Sequence, residues 1–190
     1  MNDFDALVRR QRAHRSFASD EVDDATIDAI IASATFAPSA ENSQPWVFVV
    51  VRDRTRRDGI GDLMAAAWAQ AREYSRARLT ESLFADVDAG LRSGTIAAAP
   101  VLIVVAVDRH LVHPGAVGSS AFPAVQNLLL AATARGLGSA LTTIATTQTS
   151  ELRALLDLDA HYDPVAVIPI GHPAHPLAPA RRRPPHVVRR

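Results

Sequence analysis

Residues 46–51 read Trp-Val-Phe-Val-Val-Val, an apolar run that follows Pro45 directly. A strand with apolar side chains at both odd and even positions has no polar face, so this one is expected to be covered on both sides. Residues 100–107 and 165–170 repeat the pattern and predict two more buried strands. The intervening chain has helical spacing. Phe4, Leu7 and Val8 predict a helix over 3–11. Ile27, Ile30, Ile31 and Ala34 form one stripe, with Asp23 or Asp24 placed to cap it. Leu63, Met64, Ala67 and Ala71 form another, with Trp68 beside it, and 74–91 reads as helix broken by a mobile segment. Residues 122–135 carry Leu128, Leu129 and Leu130 in succession, so that helix is expected to be buried all round, at the centre of the fold or at a subunit interface. Few strands, long helices and a sheet covered on both faces make a three-layer arrangement.

Turn chemistry punctuates these elements. Pro38 stops the second helix, because the residue before a proline is pushed out of the helical region. Gly136 can end the 122–135 helix in a left-handed conformation. Residues 138–144 read as extended, and Ser150 or Thr149 can cap a helix bearing Leu152, Leu155 and Leu156. The 174–190 tail is rich in Pro and Arg and has no periodicity. A chain of 190 residues is expected to form one domain, 1–190, with the tail packed on the domain or on a partner subunit.

The totals exclude several chemistries. There are no cysteines, hence no disulfide, thiolate nucleophile or cysteine zinc site. Lys plus Arg and Asp plus Glu are both 20, so net charge selects no polyanionic partner. The charged start carries no targeting pattern, and the longest apolar run is broken by Pro100, so a cytoplasmic protein with no membrane partner is expected. No GxGxxG, GxxxxGK[ST] or GxSxG motif is present. His110 with His113, and His172 with His175, are spaced as metal ligands can be. Both pairs lie in Pro-containing loops without a matching carboxylate; they read as surface histidines, and no metal site is expected.

Two stretches can carry chemistry. Between Pro38 and the first strand, Ser39, Asn42, Ser43 and Gln44 crowd donors and acceptors into a short loop. Such a loop can hold a flat polar heterocycle, or its side chains can do no more than satisfy turn backbone. Arg12 and Arg15 follow the first helix, and Arg181, Arg182 and Arg183 follow the last strand. Planar guanidinium forks from both chain ends suit one phosphate; the other reading is a solvated surface. Nucleic-acid binding through the tail finds no support from a helix-turn-helix or zinc pattern, and aromatic content is only 5%.

The pieces together resemble the FMN-dependent nitroreductase family. RRQRAHRSFASDEV is similar to its N-terminal Arg-rich box, and APSAENSQPWVFVVV to its Ala-Pro-Ser…Asn…Gln-Pro-Trp loop and first strand. PAVQNLLLAATARGLGSA is similar to its central helix, and VAVIPIGHPAHP followed by RRRPPHVV to its last strand, corner and basic tail. The resemblance implies an α+β, three-layer α/β/α sandwich with a small mixed or antiparallel sheet. It implies a homodimer with FMN at the interface. Arg12, Ala13 and Arg15, with Arg181, Arg182 or Arg183, would hold the phosphate. Pro38, Ser39, Ala40 and Asn42 would line the isoalloxazine from the neighbouring subunit. Gln126 and Asn127 would lie near the cofactor. Thr142 and Thr143 would offer a backbone amide to flavin N5, and no catalytic side chain is required.

The implied activity is oxidation of NADH or NADPH and reduction of an electron-poor acceptor, nitroaromatic or quinone-like, by ping-pong turnover. The alternatives on the same fold are flavin fragmentation, reductive dehalogenation, deazaflavin-linked reduction or a non-enzymatic flavin-binding protein. Three departures from the family pattern stand out. Ala13 replaces a frequent Ser or Thr, and His172 a frequent Tyr. No Asn occurs between Gln44 and Gln126, which leaves Gln70, Arg72 or Arg76 for the flavin's pyrimidine edge.

Overall fold

Four strands form a sheet in the order β1-β2-β4-β3: β1 Trp46–Val51, β2 Val101–Asp108, β3 Gly138–Ser139 and β4 Tyr162–Gly171. The computed structural model describes residues 3–92, 94–177 and 182–190. Helices α1 Asp3–Arg10, α2 Asp24–Ala34, α3 Arg54–Arg76, α4 Glu81–Arg92, α5 Val117–Ala134 and α6 Thr149–Leu155 cover both faces. The named strand pairs are all antiparallel. Alternation along β2 divides the core. Val101, Ile103 and Val105 pack with α2 and α5; Leu102 and Val104 pack with α3, α4 and α6. This is the expected α+β three-layer sandwich. Among the described residues, no helix is long and apolar enough to cross a membrane.

The sheet order corrects the first expectation. β2 is buried along nearly its whole length, but β1 is an edge strand, mostly half-buried, with Val50 39% exposed. Its apolar run faces helices only in part, because no strand pairs beyond it. For helix α5 the centre-of-fold alternative fails, and the subunit-interface alternative stays open. It begins at Val117, runs through Pro123 and keeps one stripe uncovered: Phe122 and Gln126 are exposed and Leu130 half-buried. Gly136 does close it, at φ 76°, with the Leu137 N–H donating to Ala132 O at 3.0 Å. Of the expected 138–144 strand, only Gly138–Ser139 and a bridge from Thr142 to Val167 are extended, and a 3₁₀ turn follows at Ile144–Gln148. That turn runs straight into α6, so Thr149 is helical and its hydroxyl donates to Thr146 O at 2.7 Å rather than capping.

The break expected within 74–91 is a turn at 77–80 that folds α4 back on α3. An ion cluster ties the two helices. Asp88, buried, accepts Trp68 Nε1–H at 2.8 Å and Arg72 Nε–H at 2.7 Å, and Arg92 lies 3.6 Å away. Trp68, expected beside the apolar stripe, is itself core. The bonds from Arg72 and Trp68 hold the Asp88 carboxyl at about 2, against an ordinary 3.8. A depressed carboxyl stabilises the fold above its ordinary pKa and loses that contribution as pH falls toward the folded value. Asp88→Asn is therefore expected to lower the thermal midpoint most above about pH 5. The gap between wild type and variant should close steadily toward pH 2; a gap independent of pH would contradict this assignment.

Candidate functional site

The arginine box is held as an extra strand at one end of the sheet. Ala13 makes a parallel bridge to Ser139, and Phe17 an antiparallel bridge to Pro173. His14 N–H donates to Ser139 O (2.9 Å), Ala18 N–H to His172 O (2.9 Å) and Ala174 N–H to Ser16 O (3.1 Å). Close approach is possible because Gly138 and Gly171 oppose each other across β3 and β4. A Cβ on Gly138 would stand 3.0 Å from His14 Cβ, and one on Gly171 2.6 Å from Pro100 Cδ. Burial and the charge of Arg12 hold His14 below the ordinary imidazole range, against an opposite pull from Asp86. The His14 side chain packs against the backbone at Gly138.

Two buried donors in this box have no partner among the described residues: Arg12 Nη1 and Ser139 Oγ. They belong to segments joined by the Ala13–Ser139 bridge. Buried polar groups are nearly always paired, so an orphaned buried guanidinium N–H is a candidate donor to an anion. Ser139, bridged to Ala13, turns its side chain to the face opposite that of Arg12 and His14. Sequence reasoning missed Ser139; the one available signal was a polar residue inside an otherwise apolar, sheet-bound segment. Arg15 is engaged differently. Its Nη1 meets Asp86 at 2.5 Å, and its carbonyl accepts the Thr95 hydroxyl at 2.7 Å. Arg182 and Arg183 are exposed, and Arg181 lies outside the described residues.

The polar loop lies at the other end of the sheet. Trp46 pairs with Val107, whereas Val101 at the opposite end of β2 pairs with Ile170, which in turn faces Ser139. At ~3.3 Å per residue the two ends of β2 are roughly 23 Å apart, and four strand spacings of ~4.8 Å separate β1 from the box laterally. Within the loop, Glu41, Asn42 and Gln44 all have positive φ, at 56°, 53° and 47°. Non-glycine residues in this region store strain, which concentrates where geometry serves a function. The strain is held by Gln44 N–H on Ser39 Oγ (3.0 Å), Ala40 N–H on Ser120 Oγ (3.1 Å) and Trp46 Nε1–H on Ser120 O (2.7 Å). Pro38 and Asn42 are exposed, Ser39 and Ala40 half-buried, and Phe36 just before them is 86% exposed.

Thr142 continues the β3 register along β4, and its amide is spent on Val167 O at 3.1 Å. Thr143 is exposed, and its amide has no partner among the described residues. Of the expected pair, Thr143 is the one with a free donor. Ser139 and Thr143 are four residues apart, about 13 Å along the edge of β4. Gln126 lies on the uncovered stripe of α5, with Asn127 half-buried beside it. Arg72 is held by Asp88, and Arg76 lies 4.6 Å over the Phe84 ring. Gln70 instead borders a 470 Å³ cavity with Ile144, Thr147 and Gln148, beyond Thr143. That cavity and three others, of 390, 490 and 640 Å³, open on the single chain, and neither Arg12 nor the 38–42 loop lines any of them. The arrangement is an arginine box with an unpaired buried donor and a strained polar loop on opposite ends of a doubly covered antiparallel sheet.

A three-layer sheet with this box and loop is the architecture of flavin-dependent oxidoreductases of the nitroreductase type, and the comparisons agree. The Nitroreductase family model matches residues 8–172, and the chain belongs to that family. It is 34% identical to a 5,6-dimethylbenzimidazole synthase of Rhodospirillum rubrum, over 98% of this chain and 93% of that one. A Desulfovibrio desulfuricans protein described as a nitroreductase, solved in complex with FMN, is 29% identical and superposes with a TM-score of 0.73 over 96% of this chain and 93% of that one. An iodotyrosine deiodinase, solved with FMN and 3-iodo-L-tyrosine, shares the fold at a TM-score of 0.80 and 22% identity, over 96% of each chain.

Arg12→Met tests whether the orphan is structural. Removing an unsatisfied buried polar group relieves a penalty of about 1–3 kcal/mol. Urea unfolding of the small-molecule-free protein should show unchanged or increased stability; a loss of that size would mean that Arg12 holds the fold.

Proposed function

We propose that the chain binds FMN between two copies of itself and reduces a small electron-poor acceptor, nitroaromatic or quinone-like, at the expense of NADH or NADPH. Bound FMN supplies the redox chemistry, accepting a hydride and passing its electrons on. The observation that carries this reading is the unpaired Arg12 Nη1 at the end of the sheet. A phosphate dianion is the partner such a donor needs.

The residues divide as follows. Arg12 donates to the phosphate, and Ala13 brings only main chain to the same place. Arg15 braces the box through Asp86 and has further N–H groups to give. Arg182 and Arg183, on the exposed tail, would add further donors. Thr143, about 13 Å along the strand edge, offers its amide to the ring system. Gln70 takes the pyrimidine edge that the family usually gives to Asn. The loop of Pro38, Ser39, Ala40 and Asn42 is too distant to reach a flavin held by its own chain's arginines, since a mononucleotide is shorter than the diagonal of the sheet. In a twofold assembly the second copy's loop covers the ring instead. The uncovered α5 stripe with Phe122 and Gln126, and the exposed Phe4, Val8 and Phe36, are the surfaces that a second copy would bury. No side chain need act as a base, because the nicotinamide and the acceptor use one open face in turn. We place the protein in the cytoplasm.

A second reading keeps the fold and the flavin site but has oxygen-dependent fragmentation of the flavin as its reaction. The similarity to a 5,6-dimethylbenzimidazole synthase over nearly the whole chain supports it. The visible spectrum separates the two. A yellow protein bleached without oxygen by NADH or NADPH, with parallel double-reciprocal lines, is the result expected of the reductase. Bound flavin that neither nicotinamide bleaches rules the reductase out. Arg12→Ala should weaken FMN binding about 10–100-fold, the ~1.5–3 kcal/mol of a charge-assisted bond, as read by quenching of flavin fluorescence.

A further inference from the structure

We propose that Asp108, His110 and His161 form a binding site for a divalent transition-metal ion such as zinc, at the end of the sheet away from the arginine box. One ligand atom from each lies within 4.8 Å of the other two. The site joins two elements far apart in sequence. Asp108 ends β2, where it pairs with Tyr162, the first residue of β4, and His161 directly precedes β4. Arg109 N–H donates to His161 O at 3.0 Å and fixes one turn against the other.

The ligands are largely positioned already. One Asp108 carboxylate oxygen accepts the His110 N–H at 2.8 Å, which orients the group and leaves its second oxygen for an ion. The centre of the His161 ring is 4.1 Å from that of Tyr162 and 4.9 Å from that of His110. Tetrahedral zinc with bonds of ~2.0–2.2 Å needs its ligands roughly 3.3 Å apart. The exposed His110 ring can supply that movement by rotating. Two imidazoles and one carboxylate leave a position for water or an exchangeable ligand.

The surroundings select the class of ion. Arg109 lines the same 490 Å³ cavity, and its charge opposes a hard cation held by electrostatics alone. Neutral imidazoles favour zinc or copper over magnesium. Asp163, also in the cavity, faces Arg153 at 3.8 Å and is not counted as a ligand. His113, near in sequence, is excluded because its Nδ1 accepts Gly115 N–H at 3.1 Å. The carboxylate that the two sequence-spaced histidine pairs lack is supplied here by the fold.

Zinc titration of the purified full-length protein against a chromophoric chelator tests the site. The expected result is one ion per chain, not displaced by excess magnesium. Binding should weaken by about tenfold or more in His110→Ala and in His161→Ala, and stay unchanged in His113→Ala. His110 is exposed, so its variant decides the matter even if the His161 variant fails to fold. Zinc uptake equal in wild type and His110→Ala, uptake that magnesium displaces, or no uptake at all overturns the proposal.

Discussion

The hydrogen-bond ladder along β4 is the constraint on which the rest of the molecule depends. This strand pairs with β2 over its length on one side, and on the other with β3 and then Thr142. Its buried residues face both cores: Ala166, Ile168 and Ile170 one, Val167 the other. The ladder also sets the site. Past Gly171 the chain holds Ala18 and Ser16, and Ser139 beside it holds His14, so the arginine box lies where β4 ends. Register fixes the distance from that box to Thr143, and the same register puts the 38–44 loop at the far corner.

Stability is given up at both functional stretches. The box buries a guanidinium N–H and a hydroxyl without partners, and the loop holds Glu41, Asn42 and Gln44 in the left-handed region. Buried polar groups left unpaired, and strained backbone, persist only where surrounding structure overdetermines them. Here Ser120 does so for the loop, through Ala40 and Trp46, and the opposed glycines do so for the box. Neither arrangement helps a lone chain; in the proposed reading a ligand and a second copy complete them.

Much of this was legible in the sequence, because the signals were local. Asp23 caps α2 as its position before the Ile27–Ile30 stripe suggests, and its carboxylate accepts Thr26 N–H at 2.7 Å. Gly136 ends α5. The strand runs and the loop before Trp46 fell where the pattern put them. What failed was tertiary. An all-apolar run does not say whether a strand is central or an edge, so β1 was overestimated. The Leu128–Leu130 run does not say whether the line through Phe122 and Gln126 is covered by the chain itself or by a second copy. Nothing in the spacing revealed that Thr142's amide is used by Val167, that Asp86 takes Arg15, or that His110 meets His161 rather than His113. These depend on which segments the sheet brings together, and only topology supplies that.

The central claim is that one binding site is completed by two chains: the arginine box of one and the Ser39–Asn42 corner of the other. Mixed dimers test it most directly. Arg12→Ala and a loop variant such as Ser39→Pro would be co-expressed with different affinity tags, and the doubly tagged species isolated. The account predicts one tightly held FMN per mixed dimer, because each such dimer retains one intact box facing one intact loop, while either variant alone binds FMN only with the weakened affinity. Mixed dimers that bind FMN as weakly as the parent variants, or a full complement of flavin on a monomer, would contradict it.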